Sequence, residues 1–223
     1  MHGQGMIYTK VIQMNINKIN EDIFLIDDIL FDDELNLIYE EMYKLKPLIL
    51  RDVNVENKKT DYNRVYLDTF YINERHKSDI LSIITKTVFS KNLLVDLERL
   101  SSSYTFQTMK FTTNHQTQLT VYNDGGNYEW HRDYCNGRTL SFVLPINIMQ
   151  KETYDGGELL LKYSDNKIIK IKPKHNQLIL FSAQLEHKVE PINVKMLKDN
   201  IFSGRVVING HIGSVDVNIG RFI

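Results

Sequence analysis

A single cysteine, Cys135, stands in a chain of 223 residues. It has no partner for an internal disulfide, and it excludes a cysteine-only metal cluster. Neither sign of charge is in excess: 27 Lys and Arg face 28 Asp and Glu, for a formal net charge of −1. A general polyanion binder carries a basic surplus, so that class has no support, although a nucleic-acid substrate held at a local patch stays open. No apolar run approaches the ~20 residues that cross a bilayer. Met1–Asn15 lacks the basic-then-apolar order of a secretory signal. A cytoplasmic protein without membrane contact is the expectation.

Glycine is missing from a long stretch. Of 11 glycines, two are Gly3 and Gly5 and the other nine lie at Gly125 or later, with Pro47 the one proline between. Glycine supports tight turns, and tight turns join strands. The second half is therefore expected to be the sheet-forming half, either as a second domain or as a second layer of one. The mixture of 42% hydrophobic and 25% charged residues is that of a globular protein.

Residues 1–20 carry little pattern and are read as a leader or flexible terminus. Ile23–Ile26 suits a short strand. Phe31–Lys46 reads as a helix, with Leu35, Ile38, Tyr39, Met42 and Leu45 at helical spacing and Pro47 beyond its end. Arg51–Asp61 is polar and looks like a loop, and Arg64–Ile72 suits a strand. Further helices fit Ser78–Phe89 and Leu93–Leu100. From Ser103 the period becomes two, giving strands at Tyr104–Phe111, Gln118–Tyr122, Thr139–Asn147, Glu158–Tyr163, Lys167–Ile171, Gln177–Phe181, Lys188–Ile192 and Ser203–Ile212. Turn chemistry separates them at Asn123–Gly126, Asn136-Gly137, Asp155–Gly157 and Ser164–Asn166. With no linker and no repeat, one domain over 21–223 is the better reading: a helical support over 31–100 and a β core over 103–213.

Chemistry can start at His131-Arg132-Asp133. On a strand, residues i and i+2 share a face, so an imidazole and a carboxylate would aim at one point. The pair alone is weak; a solvated turn would look the same. His187, between two apolar strands, is the candidate third ligand. Two imidazoles and a carboxylate on one face of a metal form the facial triad of non-haem Fe(II) oxygenases, while a tetrahedral zinc could use the same set. Ligand types alone do not decide between them.

Four further segments do. They are Tyr122–Tyr128 with its Gly-containing turn, Arg138–Asn147, Asp155-Gly156-Gly157-Glu158-Leu159, and Gly204–His211. In this order around His131, Asp133 and His187, they resemble the prolyl-4-hydroxylase-like branch of the 2-oxoglutarate/Fe(II) dioxygenases. The likeness is good over Gln118–Gly213 and loose over Phe24–Phe111. It implies a mainly β, α+β fold: a double-stranded β-helix (jelly roll) core with supporting N-terminal helices.

The resemblance also implies a chemistry. Fe(II) would be held by His131, Asp133 and His187, with 2-oxoglutarate and O2 as co-substrates and ascorbate as reductant. A substrate C–H would be hydroxylated with release of succinate and CO2. Peptidyl proline is the leading target, which makes a protein or peptide the expected partner. A small molecule or free amino acid is the alternative, and a β-barrel binding module without chemistry is the third reading. Nucleic acid is disfavoured, because the second Arg of the nucleic-acid demethylases is replaced here by His211. Arg205 would grip the far carboxylate of 2-oxoglutarate, because a carboxylate in a dry barrel needs a fixed, bidentate cation. Tyr122 would donate to the same carboxylate. The gap from His187 to Arg205 is long and Asn193–Ser203 looks inserted, so Lys195 and Lys198 are weaker candidates for that role. Residues 51–63 and 193–203 are read as candidate lids.

Tyr128, Cys135 and His211 are expected at the pocket wall. His211 stands where the relatives usually have Trp, and Pro145 where they often have Tyr. Trp130 is expected to pack on the opposite face. His175 is read as solvated, and His2, His76 and His115 as surface residues.

Overall fold

The computed structural model describes residues 15–53, 60–67, 78–88, 90–112, 114–134, 137–149, 153–163, 167–196 and 199–213. Among them are fourteen strands: β1 (Asn15–Asn20), β2 (Ile23–Asp27), β3 (Leu50–Val53), β4 (Thr60–Tyr66), β5 (Asn114–Tyr122), β6 (Asn127–His131), β7 (Arg138–Pro145), β8 (Tyr154–Gly156), β9 (Leu159–Tyr163), β10 (Lys167–Ile171), β11 (Leu178–Ser182), β12 (His187–Val189), β13 (Ile192–Val194) and β14 (Arg205–Gly213). The helices are α1 (Asp32–Leu45), α2 (Asp79–Val88), α3 (Lys91–Leu100) and α4 (Tyr104–Gln107).

Twelve strands form one antiparallel sheet in the order β1-β2-β11-β7-β14-β5-β4-β6-β12-β9-β10, with β3 paired to β4, and β8 and β13 form a separate ribbon. β7 and β12 lie far apart in that order, yet side chains from both line one cavity. The sheet therefore curls on itself, as a jelly-roll core does. Mainly β with a few helices is the expected fold class.

Alternation along the strands sorts two cores. Leu119 and Val121 of β5, Val206, Ile208 and Ile212 of β14, and Leu140, Phe142 and Leu144 of β7 face the helices in a large apolar cluster with Ile38, Met42, Ile84 and Leu97. The other face of the same strands turns inward. There Tyr122, Val207, Ile179 and Phe181 join Leu159, Leu161 and Val189 in a second, smaller cluster. Period two makes this possible, because neighbouring residues point to opposite faces.

The helices form where their apolar spacing and caps agree. In α1, Leu35, Ile38, Met42 and Leu45 are buried at i, i+3, i+7 and i+10, and acids occupy the first turn. Glu34 reaches back to accept from the backbone N–H of Phe31 at 3.0 Å. Glu41, buried on α1, accepts from the Ile80 N–H and the Ser78 hydroxyl, both at 2.7 Å, and so caps α2. Ser90 caps α3 through the N–H of Leu93.

Three expectations need correction. Tyr104–Phe111 is not a strand but α4 followed by a 3-10 turn, Met109–Phe111. Phe106 and Met109, three apart, are the buried pair, while Tyr104 and Phe111 are exposed; aromatic richness imitated a period of two. Arg51–Asp61 is not simply a loop, since its described ends belong to β3 and β4 and β4 joins the main sheet beside β5. The support over 31–100 is thus not purely helical, and a lid over 51–63 does not describe its paired ends. Asn15–Asn20, within the stretch read as a leader, forms β1 and pairs with β2. Of the predicted strand Arg64–Ile72, Arg64–Tyr66 belong to β4, Leu67 lies beyond its end, and residues 68–72 lie outside the described residues.

Candidate active site

The inward face of the curled sheet encloses a cavity of about 130 Å³. At one end stand His131, Asp133 and His187, whose ligand atoms lie within 4.8 Å of one another. His131 ends β6 and His187 begins β12. These antiparallel strands put the two residues directly opposite each other, with ring centroids 4.1 Å apart. Asp133 lies beyond the end of β6, so the i, i+2 strand argument does not place it. It is held instead by its N–H to the Ala183 carbonyl (3.2 Å) and by the Ser141 hydroxyl on Oδ2 (2.6 Å).

Both imidazoles are oriented from behind. Nδ1–H of His131 donates to the Glu129 carbonyl at 2.7 Å, and Nδ1–H of His187 to the Leu185 carbonyl at 3.0 Å. Each ring therefore turns Nε2 toward the carboxylate: His131 Nε2 is 3.6 Å from Oδ1 and His187 Nε2 is 3.3 Å from Oδ2. Backbone carbonyls behind the rings are the usual means of fixing metal-ligand histidines. Burial, helped by neighbouring His187, lowers the His131 pKa to about 4, which keeps that ring neutral at physiological pH. Burial alone would raise the Asp133 carboxyl, but His211 and His187 more than offset it and hold the group well below the usual carboxylate range. Two imidazole Nε2 atoms and a carboxylate facing one point are a ligand set that a cation satisfies.

At the other end stands Arg205, 1% exposed, on β14 opposite Tyr122 of β5. Its guanidinium carbon is 5.0 Å from the Tyr122 ring centroid. Arg205 Nε is buried with no hydrogen-bond partner, as expected of a cation waiting for an anion. Burial pushes the Tyr122 phenol up, and Arg205 partly offsets this. Gly157, at φ +69°, makes room for the arginine: a Cβ there would come within 2.9 Å of Arg205 Cδ. Gly204 lets β14 pass against β5, since its Cβ would sit 1.8 Å from the Tyr122 carbonyl oxygen. The residues present therefore fit a metal at one end and the carboxylate of a co-substrate at the other.

The remaining sequence candidates separate. Tyr128 lines the cavity and stacks on His131, with centroids 3.7 Å apart and planes 20° apart. His211 lines it too, with Nδ1 3.5 Å from Asp133 Oδ2, and burial lowers its pKa to about 4. Lys195 does not reach the cavity; it pairs at the surface with Asp155 at 2.7 Å. Cys135 and Lys198 lie outside the described residues, as do His2 and His76. Trp130 faces away and is covered by Lys162, whose Nζ is 4.3 Å from the ring centroid. His175 is less free than expected, because its Nδ1 accepts from the Asn147 N–H at 3.0 Å. His115 is half-buried rather than a surface residue, and contacts the Thr85 and Thr117 hydroxyls at 2.9 Å each.

Several cavity residues were not picked out from sequence: Tyr62, Gln116, Gln118, Arg138, Ser141 and Asn209. A signal existed. Gln116, Gln118 and Tyr122 share one face of β5, opposite His211, Asn209 and Arg205 of β14. Buried polar residues at alternating positions on paired strands mark an interior that binds something. Arg138 donates to Gln116 Oε1 at 2.7 Å, and its Nε is buried without a partner.

Known proteins agree with this geometry. The sequence model of the 2OG-Fe(II) oxygenase superfamily matches residues 117–213. A Trichoplax adhaerens prolyl hydroxylase, solved with a hypoxia-inducible-factor peptide fragment, superposes with a TM-score of 0.63 at 16% identity, over 87% of this chain and 84% of that one. The viral collagen prolyl hydroxylase of Paramecium bursaria Chlorella virus-1, solved with 2-oxoglutarate, superposes at 0.55 with 16% identity, over 88% and 98%. A non-haem alpha-ketoglutarate-dependent epimerase of nogalamycin biosynthesis superposes at 0.55 with 8% identity, over 86% and 77%. At such identities the structural likenesses speak for the fold, and the matched segment contains His131, Asp133, His187 and Arg205. Over residues 117–213 the chain matches the 2OG-Fe(II) oxygenase superfamily and its fold is that of the prolyl hydroxylases, which together indicate an Fe(II)- and 2-oxoglutarate-dependent oxygenase.

Proposed function

We propose that the protein hydroxylates a carbon–hydrogen bond on a residue of a peptide, proline first, with His131, Asp133 and His187 as the iron ligands and Arg205 and Tyr122 as the seat of 2-oxoglutarate. The observation that carries this reading is the two-ended cavity. It has three facing acceptors at one end and a buried arginine with an unsatisfied Nε at the other. When bound, the iron and 2-oxoglutarate supply the oxidising power, with substrate C–H, O2 and 2-oxoglutarate giving C–OH, succinate and CO2. The protein's part is to bind and orient. Arg205 neutralises the far carboxylate in a dry site, where a fixed guanidinium acts strongly. Tyr122 contributes a hydroxyl that burial keeps protonated. Tyr128, stacked on His131, shields the metal end from water on that side.

The size of the cavity supports a target residue presented from outside. At about 130 Å³ it is well below the ~300–1,000 Å³ of sites that enclose a whole drug-sized ligand. Arg138, with its partnerless Nε, offers a donor to an acceptor such as a peptide carbonyl. The peptide-bound Trichoplax enzyme of the same fold supports the same reading. The epimerase with this fold favours the second reading, the same oxidative machinery on a small molecule.

The test is succinate formation from 2-oxoglutarate with Fe(II) and ascorbate, challenged with proline-containing peptide pools and with free amino acids. Peptide-stimulated succinate and a 16 Da gain on a peptide are expected. Stimulation by small molecules alone would move the reading to the second substrate class.

A further inference from the structure

The geometry points to Ser141 as the residue that positions the Asp133 carboxylate, with His211 closing the same side; this rests on the proposed reading of Asp133 as a metal ligand. Ser141 sits in β7, 2% exposed, and its hydroxyl is 2.6 Å from Asp133 Oδ2. A carboxylate only accepts, so the hydroxyl donates. His211 is the cross-strand partner of Ser141 on β14. Its Nδ1 lies 3.4 Å from Ser141 Oγ and 3.5 Å from the same Oδ2.

Asp133 needs such a hold because it lies outside any strand. The two histidines are fixed by ladder pairing and by carbonyls behind their rings, whereas the Asp133 side chain turns on two free bonds. A donor from the middle of a paired strand fixes the carboxylate plane, so that it faces the two Nε2 atoms without waiting for a metal. A site organised in advance by such outer contacts binds its metal more tightly. The hydroxyl in turn needs this partner, because a buried polar group without one is costly.

Co(II) is the probe, titrated into the chelator-treated full-length protein and followed by its visible absorption. Ser141→Thr and Ser141→Val have the same shape and differ in the hydroxyl. The valine variant is expected to bind Co(II) ~10–100-fold more weakly than the parent, and the threonine variant within about threefold of it. Ser141→Ala stands in if valine does not fit the strand, with thermal unfolding showing that each variant folds. Adding His211→Leu to Ser141→Val is expected to weaken binding no further. Equal affinities for the threonine and valine variants, or valine binding like the parent, would overturn the assignment. Asp133→Ala separates the two levels. If it binds Co(II) as the parent does, the ligand reading itself fails; if it loses binding while Ser141→Val does not, only the positioning role fails.

Discussion

The two faces of β5, β7 and β14 are built differently. Toward the helices they present Leu119, Val121, Leu140, Phe142, Val206 and Ile208, all within a few per cent of full burial. Toward the interior the same strands present Gln116, Gln118, Ser141, Arg205, Asn209 and His211. Both faces are largely buried, yet the first is apolar throughout while the second sets polar and charged groups beside a smaller apolar cluster. Burying apolar surface contributes roughly 25 cal/mol per Å², whereas burying an arginine or a glutamine contributes nothing unless it is paired. The first face accounts for folding, and the second makes sense through what it holds.

Substitutions on the two faces should separate stability from activity. The largest effect is expected for Asp133→Ala: loss of 2-oxoglutarate turnover to background, read by succinate release, with the thermal midpoint of the metal-free protein little changed. Next is Arg205→Leu, which would remove the charge-assisted hydrogen bonds proposed for the co-substrate. Weakening of 2-oxoglutarate binding by ~10–150-fold follows from about 1.5–3 kcal/mol, and calorimetric titration with Mn(II) present would measure it. On the other face, Ile208→Ala should cost about 2–5 kcal/mol in denaturant unfolding while turnover per folded molecule stays near the parent value. Gln118→Leu should do the reverse, changing stability by less than ~1 kcal/mol while lowering turnover.

The smallest effect concerns pH. Burial lowers the His115 pKa in the folded protein, so below its ordinary value of ~6.5 the unfolded state takes up protons more readily. Its contribution is therefore full above that pH and declines as pH falls through the acidic range. His115→Gln should flatten the slope of stability below pH ~6.5 slightly, as measured by urea unfolding at several pH values.

Much of the interior arrangement was legible because it follows from local pattern. Alternation gave β7, β10, β11 and β14 within a residue or two, and helical spacing with an acidic first turn gave α1. His131, Asp133, His187 and Arg205 could be singled out through ordered motifs, although strand spacing does not place Asp133. What was not legible depends on partners distant in sequence. β4 became a central strand only by pairing with β5 and β6. Ser141 and His211 meet Asp133 through register between β7 and β14. Tyr104–Phe111 looked like a strand because the aromatic residues at its two ends point to solvent, which composition alone does not reveal.

The central claim is that the interior face holds a metal and 2-oxoglutarate together. Anaerobic addition of Fe(II) and then 2-oxoglutarate tests it most directly, through the visible charge-transfer absorption of the chelated pair. The parent protein is expected to develop that absorption, Asp133→Ala to lack it, and Arg205→Leu to need far more 2-oxoglutarate. A parent protein without the absorption, or an Asp133→Ala variant that develops it unchanged, would contradict the account.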